Sequence, residues 1–400
     1  MPRQPSIAGT AHAPVDCGDG VRLLRDVEMR LSDGTVLVSD HYLPPGDEPA
    51  PALVVRQPYG KDIATTVAYA HPVWFARHGY VVVVQDVRGR GGSGGDFYPF
   101  VHEEQDGHEA IDWVSRRPEC NGKVGMYGFS YQGVTQLLAA TRRHPALRCI
   151  APWMTVGDLH GGWFYQNGLL RLASTVGWAT QMLRGDAHRM GLVEEARALD
   201  AAWAQPAQHL HAAPYAQIAH LVAPALLRYY ADWISNESPG PYWQAQDLSD
   251  QWDALDVPAL HLAGWHDLYL HGSIDLFERM SRASTASSKH QHLVAGPWVH
   301  IPWGRYSGEA DHGPEAMLDT DALLLGNFVD RIDAFQKAVM AGIMAPNEAR
   351  VRLGLMPLEG LDDPKPLMPG AGSGVDESEP ASDKANEVDG DSNEIGRAHV

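Results

Sequence analysis

The hydrophobic pattern changes period twice along the chain. Residues 20–43 alternate apolar and polar positions on either side of Ser32-Asp33-Gly34, the mark of two half-buried strands joined by a tight turn. An antiparallel hairpin is expected there. Short, largely apolar runs follow at 52–55, 81–84, 124–127, 149–151, 260–263 and 292–295, separated by helical periodicity at 67–78, 104–117 and 133–143. Such runs fit parallel strands covered on both faces, and the alternation predicts an α/β fold.

From 159 to 252 the strand signal stops, and residues rich in Ala, Leu, Trp and Tyr take up helical periodicity. Connections usually run about 2 to 6 residues. The segment therefore reads as an inserted helical cap domain between a first part of the core, 20–158, and a second part, 253–331. Residues 332–370 read as a helical extension. In residues 371–400 eight acidic side chains stand against two basic ones, the composition of a disordered tail.

Composition narrows the function. The 400 residues carry a net charge of -19, which argues against nucleic acid as a partner because its phosphates would be repelled. The three cysteines, Cys17, Cys120 and Cys149, are too few for a disulfide framework and lack zinc-site spacing. The first 14 residues hold no signal-peptide core, and no apolar run approaches the ~20 residues of a membrane span. The expectation is a cytoplasmic protein with no membrane partner.

The chemistry is concentrated in Gly128-Phe129-Ser130-Tyr131-Gln132-Gly133, which follows one strand run and opens a helical stretch. A nucleophile elbow needs a serine on a sharp strand-to-helix turn, with glycines where strand and helix crowd it. The spacing is one residue longer than the common Gly-x-Ser-x-Gly. The plain alternative is an ordinary Gly-Ser turn, against which the partners argue. A serine hydroxyl needs a base within hydrogen-bond reach, and the base needs an acid to fix its tautomer.

In chain order Ser, acid, His, the candidates are Asp267, in Gly264-Trp265-His266-Asp267, and His300, in Gly296-Pro297-Trp298-Val299-His300. Each lies just beyond the carboxyl end of a strand run, on the sheet edge that carries Ser130. His290, His292, Asp253 and Asp256 precede their strands and fall at the opposite edge. For the oxyanion, one donor is expected from the Tyr131 backbone N–H. A second would come from Arg56-Gln57-Pro58-Tyr59-Gly60-Lys61; Pro58 has no N–H, and Tyr59 is either a hydroxyl donor or a packed tyrosine. Gly89-Arg90-Gly91-Gly92-Ser93-Gly94 matches the dinucleotide fingerprint but runs into Asp96-Phe97-Tyr98-Pro99-Phe100, which cannot open a helix. It reads as a structural loop.

Taken together, the 56–61, 85–93, 128–136, 264–267 and 296–300 segments resemble the CocE/NonD hydrolases, the cocaine esterase and X-Pro dipeptidyl-peptidase group of serine hydrolases. The resemblance covers about residues 20–330. It implies an α/β-hydrolase fold, a Ser130, Asp267, His300 triad and an oxyanion hole of Tyr59 hydroxyl and Tyr131 N–H. It also implies that Trp163, Phe164 and Tyr269 line the acyl pocket. Members continue into a C-terminal jelly-roll sandwich, whose strand pattern is absent after residue 331. Residues 332–370 instead look like the end of a phage portal protein, and 394–400 like translated adapter DNA, which points to a chimera.

The expected function is hydrolysis of a carboxylic ester through an acyl-enzyme, without metal or organic cofactor, on a small-molecule ester or short peptide. The alternatives are an X-Pro dipeptidyl-peptidase, an α-amino-acid ester or β-lactam acylase, and a non-catalytic binding protein on a truncated hydrolase scaffold. A homo-oligomer stays open.

Overall fold

Val54 and Val55 are both fully buried yet belong to different hydrophobic clusters, and so do Val83 and Val84. Side chains alternate across a strand, so the sheet they sit in is covered on both faces, as the apolar runs predict. A computed structural model describes residues 13–62, 70–205, 226, 228–248, 251–301, 303–313 and 316, all within the compact unit Met1–Asp321.

The chain opens with β1 (Val15–Asp16), β2 (Arg22–Arg30) and β3 (Val36–Leu43), an antiparallel set. It continues through β4 (Ala50–Gln57), α1 (Pro72–Arg77), β5 (Val81–Asp86), α2 (Glu103–Ser115), β6 (Cys120–Phe129), α3 (Tyr131–Ala140) and β7 (Leu147–Trp153). After a helical segment come β10 (Ala259–Gly264), α8 (Leu270–Arg282) and β11 (Gln291–Gly296). The sheet order is β1-β2-β3-β5-β4-β6-β7-β10-β11. From β5 to β11 every pairing is parallel, so the loops after β4, β6, β10 and β11 leave from one edge.

The helical segment holds a π-helical turn (Leu159–Phe164), α4 (Leu172–Met190), α5 (Val193–Ala204), α6 (Arg228–Ser235) and α7 (Pro241–Gln244). Its core is aromatic: Trp178 stacks on Trp233 at 5.2 Å, and Phe164 meets Trp233 at 4.4 Å. One detail departs from the all-helical expectation. Residues β8 (Tyr165–Gln166) and β9 (Leu169–Leu170) pair as a hairpin because Asn167 and Gly168 both take positive φ, 52° and 79°, the two-residue turn that Asn-Gly favours. Among the described residues no helix is long and apolar enough to cross a membrane. The 332–370 and 371–400 segments lie outside the described residues.

Candidate active site

Ser130 sits between β6 and α3 with φ 61° and ψ -127°, a left-handed conformation that costs a non-glycine residue on the order of 1–3 kcal/mol. The surroundings hold it there. Its N–H donates to Trp153 O at 2.9 Å, and its carbonyl accepts the Gly133 N–H at 2.9 Å and the Thr155 hydroxyl at 2.8 Å. Gly133 is required by space, since a Cβ would lie 2.6 Å from Thr155 Cβ. Gln136 ties the turn further, donating from Nε2 to Gly128 O at 3.0 Å and accepting the Ala151 N–H at 2.8 Å.

The loops after β10 and β11 converge through Trp298. Its carbonyl accepts the His266 N–H at 3.1 Å, while the Trp265 N–H donates to Gly296 O at 2.7 Å. A Cβ on Gly264 would lie 2.3 Å from that same Trp298 carbonyl, so only glycine lets the loops close. Closure brings Asp267 and His300 together. His300 Nδ1 is 2.7 Å from Asp267 Oδ2, and His300 Nε2 is 3.0 Å from Ser130 Oγ. A carboxylate only accepts, so Nδ1 carries the proton and Nε2 is left to accept from the serine hydroxyl. The other carboxylate oxygen accepts the Tyr269 N–H at 2.5 Å. Phe129 and Tyr269 flank the imidazole at 5.4 and 5.1 Å.

Two donor groups adjoin Ser130. Tyr131 is the first residue of α3, so its N–H has no intrahelical acceptor and stands at the positive end of the helix dipole. The Tyr59 hydroxyl interacts with the Ser130 hydroxyl, and burial pushes its pKa up to about 12 against the opposing pull of the Trp178 indole, Arg90 and Ser130. It is therefore a protonated donor at neutral pH. The Tyr131 ring points away, donating from its hydroxyl to Glu103 Oε1 at 2.8 Å and accepting the Phe100 N–H at 3.0 Å. Glu103 pairs with Arg56 at 2.6 Å.

The model of the X-Pro dipeptidyl-peptidase (S15 family) matches residues 33–302. The chain belongs to the S15 family. It is 34% identical over 288 residues to the cocaine esterase of Rhodococcus sp., an alignment covering 69% of this chain and 48% of that one. The chain thus spans about half the length of that curated relative. A CocE/NonD family hydrolase from Staphylococcus aureus superposes with a TM-score of 0.53 at 19% identity, over 80% of this chain and 50% of that one. An aminopeptidase from a marine sediment archaeon, Thaumarchaeota, gives 0.57 at 21% identity, over 77% and 54%. The architecture is the α/β-hydrolase fold of CocE/NonD-type enzymes.

Within this S15-family site the three aromatics expected in the pocket separate. Trp163 stacks on Tyr269 at 4.6 Å, and Tyr269 abuts His300 at 5.1 Å, which links both rings to that histidine. Phe164 is fully buried among Trp178, Trp233 and Trp243 and belongs to the core of the helical segment. The glycine-rich 89–94 loop is a structural junction: Asp86 accepts the Gly92 N–H at 2.9 Å and the Lys61 N–H at 2.6 Å, while Arg90 reaches across to Asp186 on α4 at 2.7 Å. Thr155, Gln132 and Gln136 also hold the elbow, and of these only Thr155 lies outside the segments singled out in the sequence.

Proposed function

We propose that this S15-family chain is a serine hydrolase that cleaves carboxylic esters through an acyl-enzyme. The observation that carries the reading is the unbroken hydrogen-bond chain from Ser130 Oγ through His300 to Asp267, set at a strained elbow. Ser130 Oγ attacks the ester carbonyl carbon, forming a C–O bond as its proton moves to His300 Nε2. Asp267 stabilises the imidazolium. The Tyr59 hydroxyl and Tyr131 N–H hold the oxyanion until the C–O bond to the leaving alcohol breaks, with His300 returning the proton to the alcohol. Water, deprotonated by His300, then attacks the acyl carbon, and the C–O bond to Ser130 breaks as His300 returns the proton to Ser130 Oγ and the acid leaves. In this reading residues 159–252 cap the site, and Trp163 and Tyr269 wall the acyl pocket.

Ester over X-Pro peptide is favoured by charge. A dipeptidyl-peptidase needs a carboxylate for the substrate's ammonium, and on α4 and α5 Asp186 is already held by Arg90 and Tyr229 and Asp200 by Arg184 and His188. Residues 206–227 contain no Asp or Glu. Arg171, anchored on Leu268 O at 2.5 Å, places a positive charge near Tyr269. The test compares turnover of p-nitrophenyl butyrate with that of Ala-Pro p-nitroanilide by the wild type and Ser130→Ala. Faster ester cleavage that vanishes in Ser130→Ala is expected. Faster anilide cleavage would make the chain a peptidase, and ester turnover that survives Ser130→Ala would end the serine mechanism.

A further inference from the structure

The second glycine of the common elbow motif is replaced here by Gln132, and the structure shows what that side chain does. Gln132 is buried beneath Gly128, whose φ is 129° and where a Cβ would lie 2.5 Å from Gln132 Oε1 and 2.7 Å from Gln132 Cβ. Gly128 thus clears the space that Gln132 fills. From that space the amide faces two ways. Its Oε1 accepts the Phe129 N–H at 3.2 Å, and its Nε2 donates to Gln57 Oε1 at 3.0 Å. Gln57, itself fully buried, donates from Nε2 to Gly60 O at 2.8 Å.

The direction of this relay is fixed at both ends. Phe129 offers a backbone N–H, which only donates, and Gly60 a carbonyl, which only accepts; reversing either amide would set like groups against each other. The relay joins the residue before Ser130 to the residue after Tyr59. Buried amides paired at both the oxygen and the nitrogen hold one geometry, because a slip leaves a desolvated polar group unpaired.

We propose that Gln132 and Gln57 are positioning residues that fix the Tyr59 loop against the nucleophile elbow, so that the Tyr59 hydroxyl and the Tyr131 N–H address one oxyanion. The inference rests on the reading of Tyr59 as an oxyanion donor. It also explains the spacing of the motif: the position usually held by glycine carries a side chain because that side chain bridges the two halves of the oxyanion hole.

The test is steady-state hydrolysis of p-nitrophenyl butyrate by Gln132→Leu, Gln57→Leu, the double variant, and Gln132→Leu combined with Tyr59→Phe. Each single variant should lose about tenfold in kcat with KM nearly unchanged. The double variant should lose no more than either single one, because one relay is cut twice. In the Tyr59→Phe background, Gln132→Leu should cost less than about twofold further. Gln132→Glu, which still accepts from Phe129 but cannot donate to Gln57, should behave like Gln132→Leu. Unchanged kcat in the single variants, or losses that multiply with Tyr59→Phe, overturns the inference. Should Gln132→Leu fail to fold, Gln57→Met keeps every residue of the elbow in place and carries the same expectation. If Tyr59→Phe alone leaves kcat intact, the donor reading fails first.

Discussion

Among the described residues two serine–histidine–carboxylate arrays can be compared. In one, Ser130 Oγ meets His300 Nε2 at 3.0 Å and His300 Nδ1 meets Asp267 at 2.7 Å. In the other, Ser39 Oγ meets His41 Nε2 at 3.0 Å and His41 Nδ1 meets Glu119 Oε1 at 3.4 Å. Atom for atom the connectivity is the same, yet the settings are opposed. Ser39 lies inside β3 and is fully buried with His41 beneath Trp113; burial lowers the His41 pKa and keeps the ring neutral. No helix N-terminus or tyrosine hydroxyl faces Ser39 among the described contacts. Ser130 stands on a strained turn where a helix begins, and the His300 side chain keeps 25% of its surface exposed. The difference teaches that three groups in hydrogen-bond order are cheap. Access, backbone strain and donors for the oxyanion are what the proposed site adds.

Activity should divide the two arrays. Ser130→Ala is expected to lower kcat by about 10⁴-fold or more, and Ser39→Ala to leave it within about twofold, in ester hydrolysis assays. Asp267→Asn should cost about 10³- to 10⁴-fold through the wrong imidazole tautomer, whereas Glu119→Gln should leave kcat unchanged. Tyr59→Phe should lower kcat by about 10²-fold with little change in KM, the usual loss for one oxyanion donor.

Stability should divide them the other way. Ser39→Ala strips His41 Nε2 of its partner in a dry interior and is expected to cost about 1–3 kcal/mol in urea unfolding, with no such loss for Ser130→Ala, whose partner His300 keeps 25% of its side-chain surface exposed. Buried neutral histidines also set the acid limit. Burial lowers His261 to about 4, its Nε2 bonding Gln291 Oε1 at 3.0 Å. The unfolded chain protonates that ring near pH 6.5, so between about 6.5 and 4 it binds the extra proton. Stability is therefore complete above that window and falls as pH drops through it. His261→Gln should flatten this slope by up to about 1.4 kcal/mol per pH unit.

The features readable from sequence are those that depend on local order. Buried parallel strands declare themselves as apolar runs, and each of the six runs lies within a strand of the sheet. Ser130, Asp267 and His300 could be placed at one sheet edge because each follows a strand there, which chain direction alone decides. What stayed hidden depends on packing. Phe164 and Trp163 are adjacent, equally aromatic and buried in one cluster, and only the fold sets one among Trp233 and Trp243 and the other against Tyr269. Gln132 and Gln57 are 75 residues apart, and nothing in either segment indicates that their amides meet. The Asn167-Gly168 turn was visible in principle, but strands of two residues carry too few alternations to stand out against helical surroundings.

The most direct test of the account is labelling of the folded chain with a fluorophosphonate, followed by peptide mass spectrometry. The account predicts one phosphonyl group, on Ser130, absent from Ser130→Ala and retained in Ser39→Ala. An adduct on another residue, or none on natively folded protein, would contradict it.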